Sequence, residues 1–314
     1  MADSMPAEPR DLRFVIVVGK GGVGKTSVSA ALALSLARSG RRVLLAMCNA
    51  KERLSHLMQV APVGPQIRTI APGIDAVNME PSAALEEYGM MVLKVRALYK
   101  LIFENRLVAG FLRGTPGIEA WAMLGKAQFH AFETLPNGRA RYDTVIVDAP
   151  ATGHGLELLR VPKVILDVVP PGLLRRDAER AWSLFTDPTR AGVLIVTMPE
   201  ELPSTEAIEL YGALRTELKL PVCGLVMNMV LPRLFDATAA SALRELQGHV
   251  PADSALSPLV RASSTRLSRE QVQAQCLERL LQEIPVRSYE LPLLFSPDFR
   301  RAEIETLSNA LAPK

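Results

Sequence analysis

The run Gly19-Lys20-Gly21-Gly22-Val23-Gly24-Lys25-Thr26 constrains this chain more than any other eight residues in it. An apolar stretch, Phe14-Val15-Ile16-Val17-Val18, precedes it, and a helix-like segment from Ser27 to Arg38 follows. The spacing fits G-x-x-x-x-G-K-[ST], a phosphate-binding loop between a strand and a helix. Glycines let backbone N–H groups converge on phosphate oxygens without Cβ clashes, and the N-terminus of the next helix adds positive dipole at the same point. In that geometry Gly19, Gly21, Gly22, Val23, Gly24 and Ser27 form the cradle. Lys25 reaches the β- and γ-phosphates, and the Thr26 hydroxyl holds Mg²⁺. A nucleotide with Mg²⁺ is the expected ligand.

The rest of the chain supplies the scaffold such a loop needs. Strand-like runs fall at Leu12–Val18, Arg42–Met47, Ile74–Met79, Thr144–Val147, Val193–Thr197 and Val222–Met229, with a late one at Val286–Leu291. Most are continuously apolar, the pattern of strands covered on both faces, and helical segments alternate with them. The expected fold is α/β, a P-loop NTPase with a mostly parallel, twisted sheet flanked by helices. Residues 1–10 are polar and are expected to be disordered; 11–314 reads as one domain. A helical insert at about 82–135, rich in Met, Leu and aromatic residues, interrupts the alternation. It is either core cover or a mobile lid that exposes apolar surface in one nucleotide state. The tail, Asp298–Leu311, reads as a packed final helix.

Composition narrows the function. At a net charge of +3 the chain shows no sign of a nucleic-acid or anionic-membrane partner. Its three cysteines, Cys48, Cys223 and Cys276, lie far apart with no C-x-x-C pair, which argues against a disulfide framework, a zinc site or a cluster held by this chain alone. No apolar run reaches the ~18 residues of a membrane span. A soluble, cytoplasmic protein with no stable membrane insertion is expected.

A second chemical constellation is Val145-Ile146-Val147-Asp148-Ala149-Pro150-Ala151-Thr152-Gly153-His154. An acidic residue at the end of a second buried strand is what a P-loop enzyme uses to hold Mg²⁺, directly or through water. Gly153 gives the segment freedom to respond to the γ-phosphate. His154 is either a switch residue or an ordinary helix start.

Lys20 makes the first loop resemble the deviant phosphate loop of a dimeric ATPase class that includes septum-site, plasmid-partition and arsenite-pump ATPases and nitrogenase iron protein. Asp148-Ala149-Pro150-Ala151-Thr152-Gly153-His154 is similar to the Asp-Thr-Ala-Pro-Thr-Gly-His switch of one branch. That branch is the arsenite-pump ATPase (ArsA) family, which includes the ATPase that targets tail-anchored membrane proteins. Thr115-Pro116-Gly117, Val196-Thr197-Met198-Pro199-Glu200 and Met227-Asn228 resemble further segments of it. The resemblance implies an ATP-hydrolysing homodimer, or a heterodimer with a paralogue, in which Lys20 reaches the partner's phosphates. It implies that Asn228 reads the adenine edge, with Pro292 and Leu293 closing over the base. It also implies a nucleotide-driven switch handling an apolar client or membrane-protein partner.

Three departures from the family pattern stand out. Asn49, in Met47-Cys48-Asn49-Ala50-Lys51-Glu52, occupies the position of the Asp that orients the attacking water. An amide can accept a hydrogen bond from water but cannot take its proton, so slow turnover is expected, with Glu52 as a nearby carboxylate to compensate. Clustered thiols for arsenite are not visible. The helical region between His154 and Val193 is only 38 residues, short for the targeting branch. Two other readings therefore accompany the main one: a weakly hydrolysing subunit of a paralogue heterodimer, and a partition- or septum-positioning ATPase.

Overall fold

The structure, a computed structural model, describes residues 7–48, 52–81, 83–84, 87, 118–150, 152–251 and 253–312. Its frame is an eight-stranded sheet in the order β3-β4-β2-β5-β1-β6-β7-β8. The strands are β1 (Phe14–Val18), β2 (Val43–Cys48), β3 (Arg68–Ala71), β4 (Ile74–Met79), β5 (Thr144–Asp148), β6 (Ala191–Thr197), β7 (Val222–Val230) and β8 (Ser288–Pro292). All neighbours pair in parallel except β3, which runs antiparallel to β4 at the edge.

The continuously apolar strands are explained by what covers them. Side chains alternate across a sheet, and in β1 the odd and even positions enter different cores. Phe14, Ile16 and Val18 face one, where Phe14 stacks on Phe185 at 5.3 Å between ring centroids; Val15 and Val17 face the other. The Val15 side is covered by α1 (Lys25–Arg38), α2 (Leu54–Met58) and α9 (Arg301–Ala310). The Phe14 side is covered by α3 (Ile118–Phe132), α4 (Thr152–Val168), α5 (Leu173–Phe185) and α6 (Glu201–Ala213). Pro170-Pro171-Gly172 separates α4 from α5. A helical pair, α7 (Ala237–His249) and α8 (Ser257–Glu283), closes on a small core of its own around Leu243 and Leu267. The three cysteines are all buried, in β2, β7 and α8. Among the described residues, no helix is long and apolar enough to cross a membrane.

Most of the described part of the Met-rich insert is α3, and that helix is core cover: Trp121, Ala122, Leu124 and Ala127 are fully buried. Residues 88–117, which carry Met90-Met91, Leu98-Tyr99, Phe111-Leu112 and Thr115-Pro116-Gly117, lie outside the described residues.

Helix α3 also buries polar groups that its apolar periodicity hides. His130 shares its Nδ1 proton with Glu133 at 2.7 Å, and Arg141 donates to the same carboxylate at 2.7 Å. The His130 Nε2 is buried without a hydrogen-bond partner, so a second ring proton would go unpaired. Burial accordingly holds this imidazole below its usual pKa, against the pull of Glu133. Burial pushes the Glu133 carboxyl up, but the bonds from His130 and Arg141 outweigh it and hold it below its ordinary value. In both cases the unfolded chain takes up protons first as pH falls, so both contributions are present at neutral pH and lost on acidification. The loss begins near the ordinary histidine pKa of about 6.5 and, for Glu133, near about 4.5. Asp148 works in the opposite direction, since burial raises its pKa to about 6. The expected result is therefore a difference. His130→Leu should flatten the acid limb below about pH 6.5 relative to the parent, by up to about 1.4 kcal/mol per pH unit, in urea unfolding followed across pH.

Candidate nucleotide site

The parallel sheet sets the site by register. Asp148, the last residue of β5, lies beside Val17 of β1 and Met47 of β2, so the segments leaving all three strands emerge at one edge. There the Gly19–Thr26 loop turns into α1. Gly19 has φ +152, and a Cβ on it would lie 2.1 Å from the Val196 carbonyl oxygen, so the loop can rest on β6 only with glycine at this position. Gly24 caps α1 in the left-handed conformation, φ 89 and ψ 28, without a side-chain hydrogen bond. No acidic residue occupies the helix's first turn. Free N–H groups and the positive dipole end therefore face the loop's interior, an arrangement that attracts an anion.

Two lysines leave this loop in different directions. Lys25 turns inward, where its Nζ donates to the carbonyls of Gly19 and Lys20, each at 3.0 Å. Burial lowers its pKa, opposed by the charge of Asp148. Lys20 is half-buried and pairs with Glu206 of α6 at 2.6 Å.

Below the loop, the Thr26 hydroxyl donates to Asp148 Oδ2 at 2.6 Å, and the Ser29 hydroxyl makes a longer contact, 3.4 Å, to Oδ1. Asp148 is 3% exposed. Burial raises its pKa to about 6, with the Thr26 bond, the Lys25 charge and the Ser29 contact each offsetting part of the rise. A buried carboxylate beside a hydroxyl is a hard-oxygen donor set of the kind Mg²⁺ takes alongside its waters. A divalent cation would relieve the charge burial that raises the Asp148 pKa, so the residues present fit the ion.

Asn228 sits on β7, buried, and its Nδ2 donates to the Val23 carbonyl at 2.8 Å. It therefore braces the phosphate loop. The same residue lines a shallow pocket of about 150 Å³ with Ser27, Met229, Pro292, Leu293 and Phe299. Leu293 is held there by its N–H to the Val230 carbonyl at 2.8 Å. The pocket is mostly apolar and lies beside the phosphate loop.

The structure thus brings Gly19, Gly21, Gly22, Val23, Gly24, Lys25, Thr26, Ser27, Asp148, Asn228, Pro292 and Leu293 to one edge of the sheet. Asn49 lies outside the described residues, and His154 is described only as backbone within α4. Glu52 is engaged elsewhere: its carboxylate accepts from the Ser55 N–H at 2.7 Å and the Ser55 hydroxyl at 2.5 Å, capping α2. Sequence reasoning missed Ser29, whose i, i+3 spacing from Thr26 puts it on the same helix face. It also missed Glu206, Met229 and Phe299, which carry no local signal.

Comparison with known proteins agrees with this geometry. The model of the anion-transporting ATPase family matches residues 12–170, which span β1, the loop and the Asp148 segment. ATPase BagA of Mycobacterium tuberculosis is 28% identical over 262 residues, 82% of this chain and 76% of the relative. An arsenical pump-driving ATPase of Escherichia coli is 28% identical over 311 residues, covering 87% of this chain but 52% of that protein. ATPase GET3 of Chaetomium globosum is 30% identical over 173 residues, 50% of this chain and 45% of the relative. With the nucleotide loop in place and half the chain matched, the protein belongs to the anion-transporting ATPase family and is an ATP-binding ATPase of that family.

Proposed function

We propose that this chain is a Mg²⁺-dependent ATPase that closes as a dimer around ATP and reopens on hydrolysis, and that this cycle controls what it presents to an apolar protein client or membrane-protein partner. The observation that carries the reading is the Thr26 hydroxyl on the buried Asp148 carboxylate, 2.6 Å apart beneath a complete phosphate loop. Thr26 and Asp148 would hold Mg²⁺, which neutralises phosphate charge when bound. Lys25 exchanges two loop carbonyls for the β- and γ-phosphate oxygens. The backbone N–H groups at the start of α1 orient the same oxygens. Asn228, Pro292 and Leu293 hold the base, and Lys20 extends to the nucleotide of the partner. Positioning and electrostatics account for most phosphoryl-transfer catalysis, so these contacts carry hydrolysis at a reduced rate even with Asn49 in place of a carboxylate. Support for an apolar client comes from α4, which starts four residues after Asp148. Val164 and Val168 on it, and Leu173 on α5, are 53%, 70% and 54% exposed.

A second reading, a weakly hydrolysing subunit of a heterodimer with a paralogue, is favoured by one observation. Glu52, the carboxylate nearest in sequence to Asn49, is committed to capping α2.

Sedimentation of the full chain with Mg²⁺ and a non-hydrolysable ATP analogue tests the main reading. The mass should double, and Thr26→Ala should require about 10- to 100-fold more Mg²⁺ to do so. A chain that stays monomeric with saturating nucleotide would remove the dimer. Turnover that is negligible in the parent and rises at least about tenfold in Asn49→Asp would favour the second reading.

A further inference from the structure

Two cations serve this loop, and the fold holds each of them with a different kind of partner. Lys25 rests on backbone carbonyls, which an incoming phosphate can replace. Lys20 rests on a carboxylate, Glu206, of its own chain at 2.6 Å. The mounting of this pair is part of the architecture. Gly19, the residue before Lys20, lies against the Val196 carbonyl at the end of β6. Glu206 is on the second turn of α6, and that helix start is tied to the same strand end. The Thr197 hydroxyl donates to the Pro203 carbonyl at 2.9 Å, and the Ser204 hydroxyl to the Met198 carbonyl at 3.3 Å. Lysine and glutamate are thus built on one strand terminus, and the pair opens only when a side chain swings away. The two side chains are 29% and 28% exposed, open enough to part without unfolding.

We propose that Glu206 is a positioning residue that latches Lys20 inside its own chain and so sets the protein concentration at which ATP closes two chains. The inference rests on the reading of Lys20 as the contact to the partner's nucleotide. An ammonium committed to a carboxylate of its own subunit is withdrawn from a phosphate in another. The same geometry links the latch to nucleotide arrival. Lys25 bonds the carbonyl of Lys20 itself, at 3.0 Å, so moving Lys25 onto the phosphates frees the backbone from which the latched side chain extends. Ion pairs of this exposure are modest, which suits a contact that must break in every cycle.

The test is sedimentation velocity of the full chain with Mg²⁺ and a non-hydrolysable ATP analogue over a series of protein concentrations. Glu206→Gln should dimerise at a concentration lower than the parent by about fivefold. Glu206→Asp, which keeps the charge on a shorter arm, should fall between them. Urea unfolding of each variant verifies that the fold is intact. A parent that closes while Glu206→Gln closes at the same or a higher concentration overturns the latch and leaves the dimer standing; the higher value would mean that Glu206 serves the closed state. A parent that never closes removes the reading of Lys20 and the latch with it.

Discussion

Lys25→Ala is expected to lower ATP turnover by about 10²- to 10³-fold, the loss typical of deleting one preorganised charge at a reacting centre. The reason lies in how the loop holds the lysine. Its Nζ is partly buried by the loop and bonded to the Gly19 and Lys20 carbonyls at 3.0 Å. Burial disfavours its charge, as the lowered pKa records, and only Asp148 opposes this. A phosphate anion therefore meets a cation that is already positioned and partly desolvated, which limits the reorganisation needed at the moment of reaction. Alanine removes that charge while leaving the glycines, Thr26 and Asp148 where they are. Fluorescent-nucleotide binding and steady-state hydrolysis on the same preparation separate the two consequences. Binding should weaken less than turnover falls. Equal hydrolysis rates in parent and variant would mean that this loop does not catalyse.

Gly19→Ala should destabilise the chain by about 3–5 kcal/mol, a large part of the 5–15 kcal/mol that ordinarily holds a domain. Two penalties combine here. At φ +152 an alanine is strained whatever the space around it. Its Cβ would also stand 2.1 Å from the carbonyl oxygen of Val196, which as strand backbone paired into the sheet cannot rotate away. Relief requires lifting the loop off β6, and that displaces Lys20 and the cradle together. Gly22 supplies the comparison. It also has a positive φ, +91, but a Cβ there meets nothing within 4 Å, so Gly22→Ala should cost only about 1 kcal/mol. Urea denaturation of the two variants isolates the effect of the contact from that of the dihedral. Similar losses in both would assign the penalty to the loop's dihedrals alone.

The strands of the sheet centre were legible because burial on both faces writes itself as unbroken apolar sequence: Phe14–Val18, Val43–Cys48 and Thr144–Asp148 are buried at every position. The phosphate loop and Asp148 were legible because backbone geometry and charge demand particular residue types at fixed spacing. What local sequence could not show is chiefly what depends on distant partners. Strand β3 escaped because it is four residues long at an edge, with Arg68 and Thr69 exposed, and so carries no apolar run. Lys20 was legible as an unusual loop residue. Its partner Glu206, 186 positions away, was not. Asn228 was assigned to the base from resemblance, yet the bond its amide donates goes to Val23 of the loop. The polar groups of α3 were hidden by the opposite effect, since Lys126, Gln128 and His130 are buried within a helix whose overall pattern is apolar.

The placement of the three cysteines has an experimental use. Burial pushes the thiols of Cys48 and Cys223 up, the latter to about 12, and all three side chains are enclosed. A thiol reagent should therefore modify the native chain only as fast as each neighbourhood opens. Because they sit at the end of β2, near the start of β7 and in α8 of the outlying helical pair, they are three internal clocks. Read separately by mass spectrometry with and without nucleotide, they would time the opening of three parts of the molecule without the introduction of a single label.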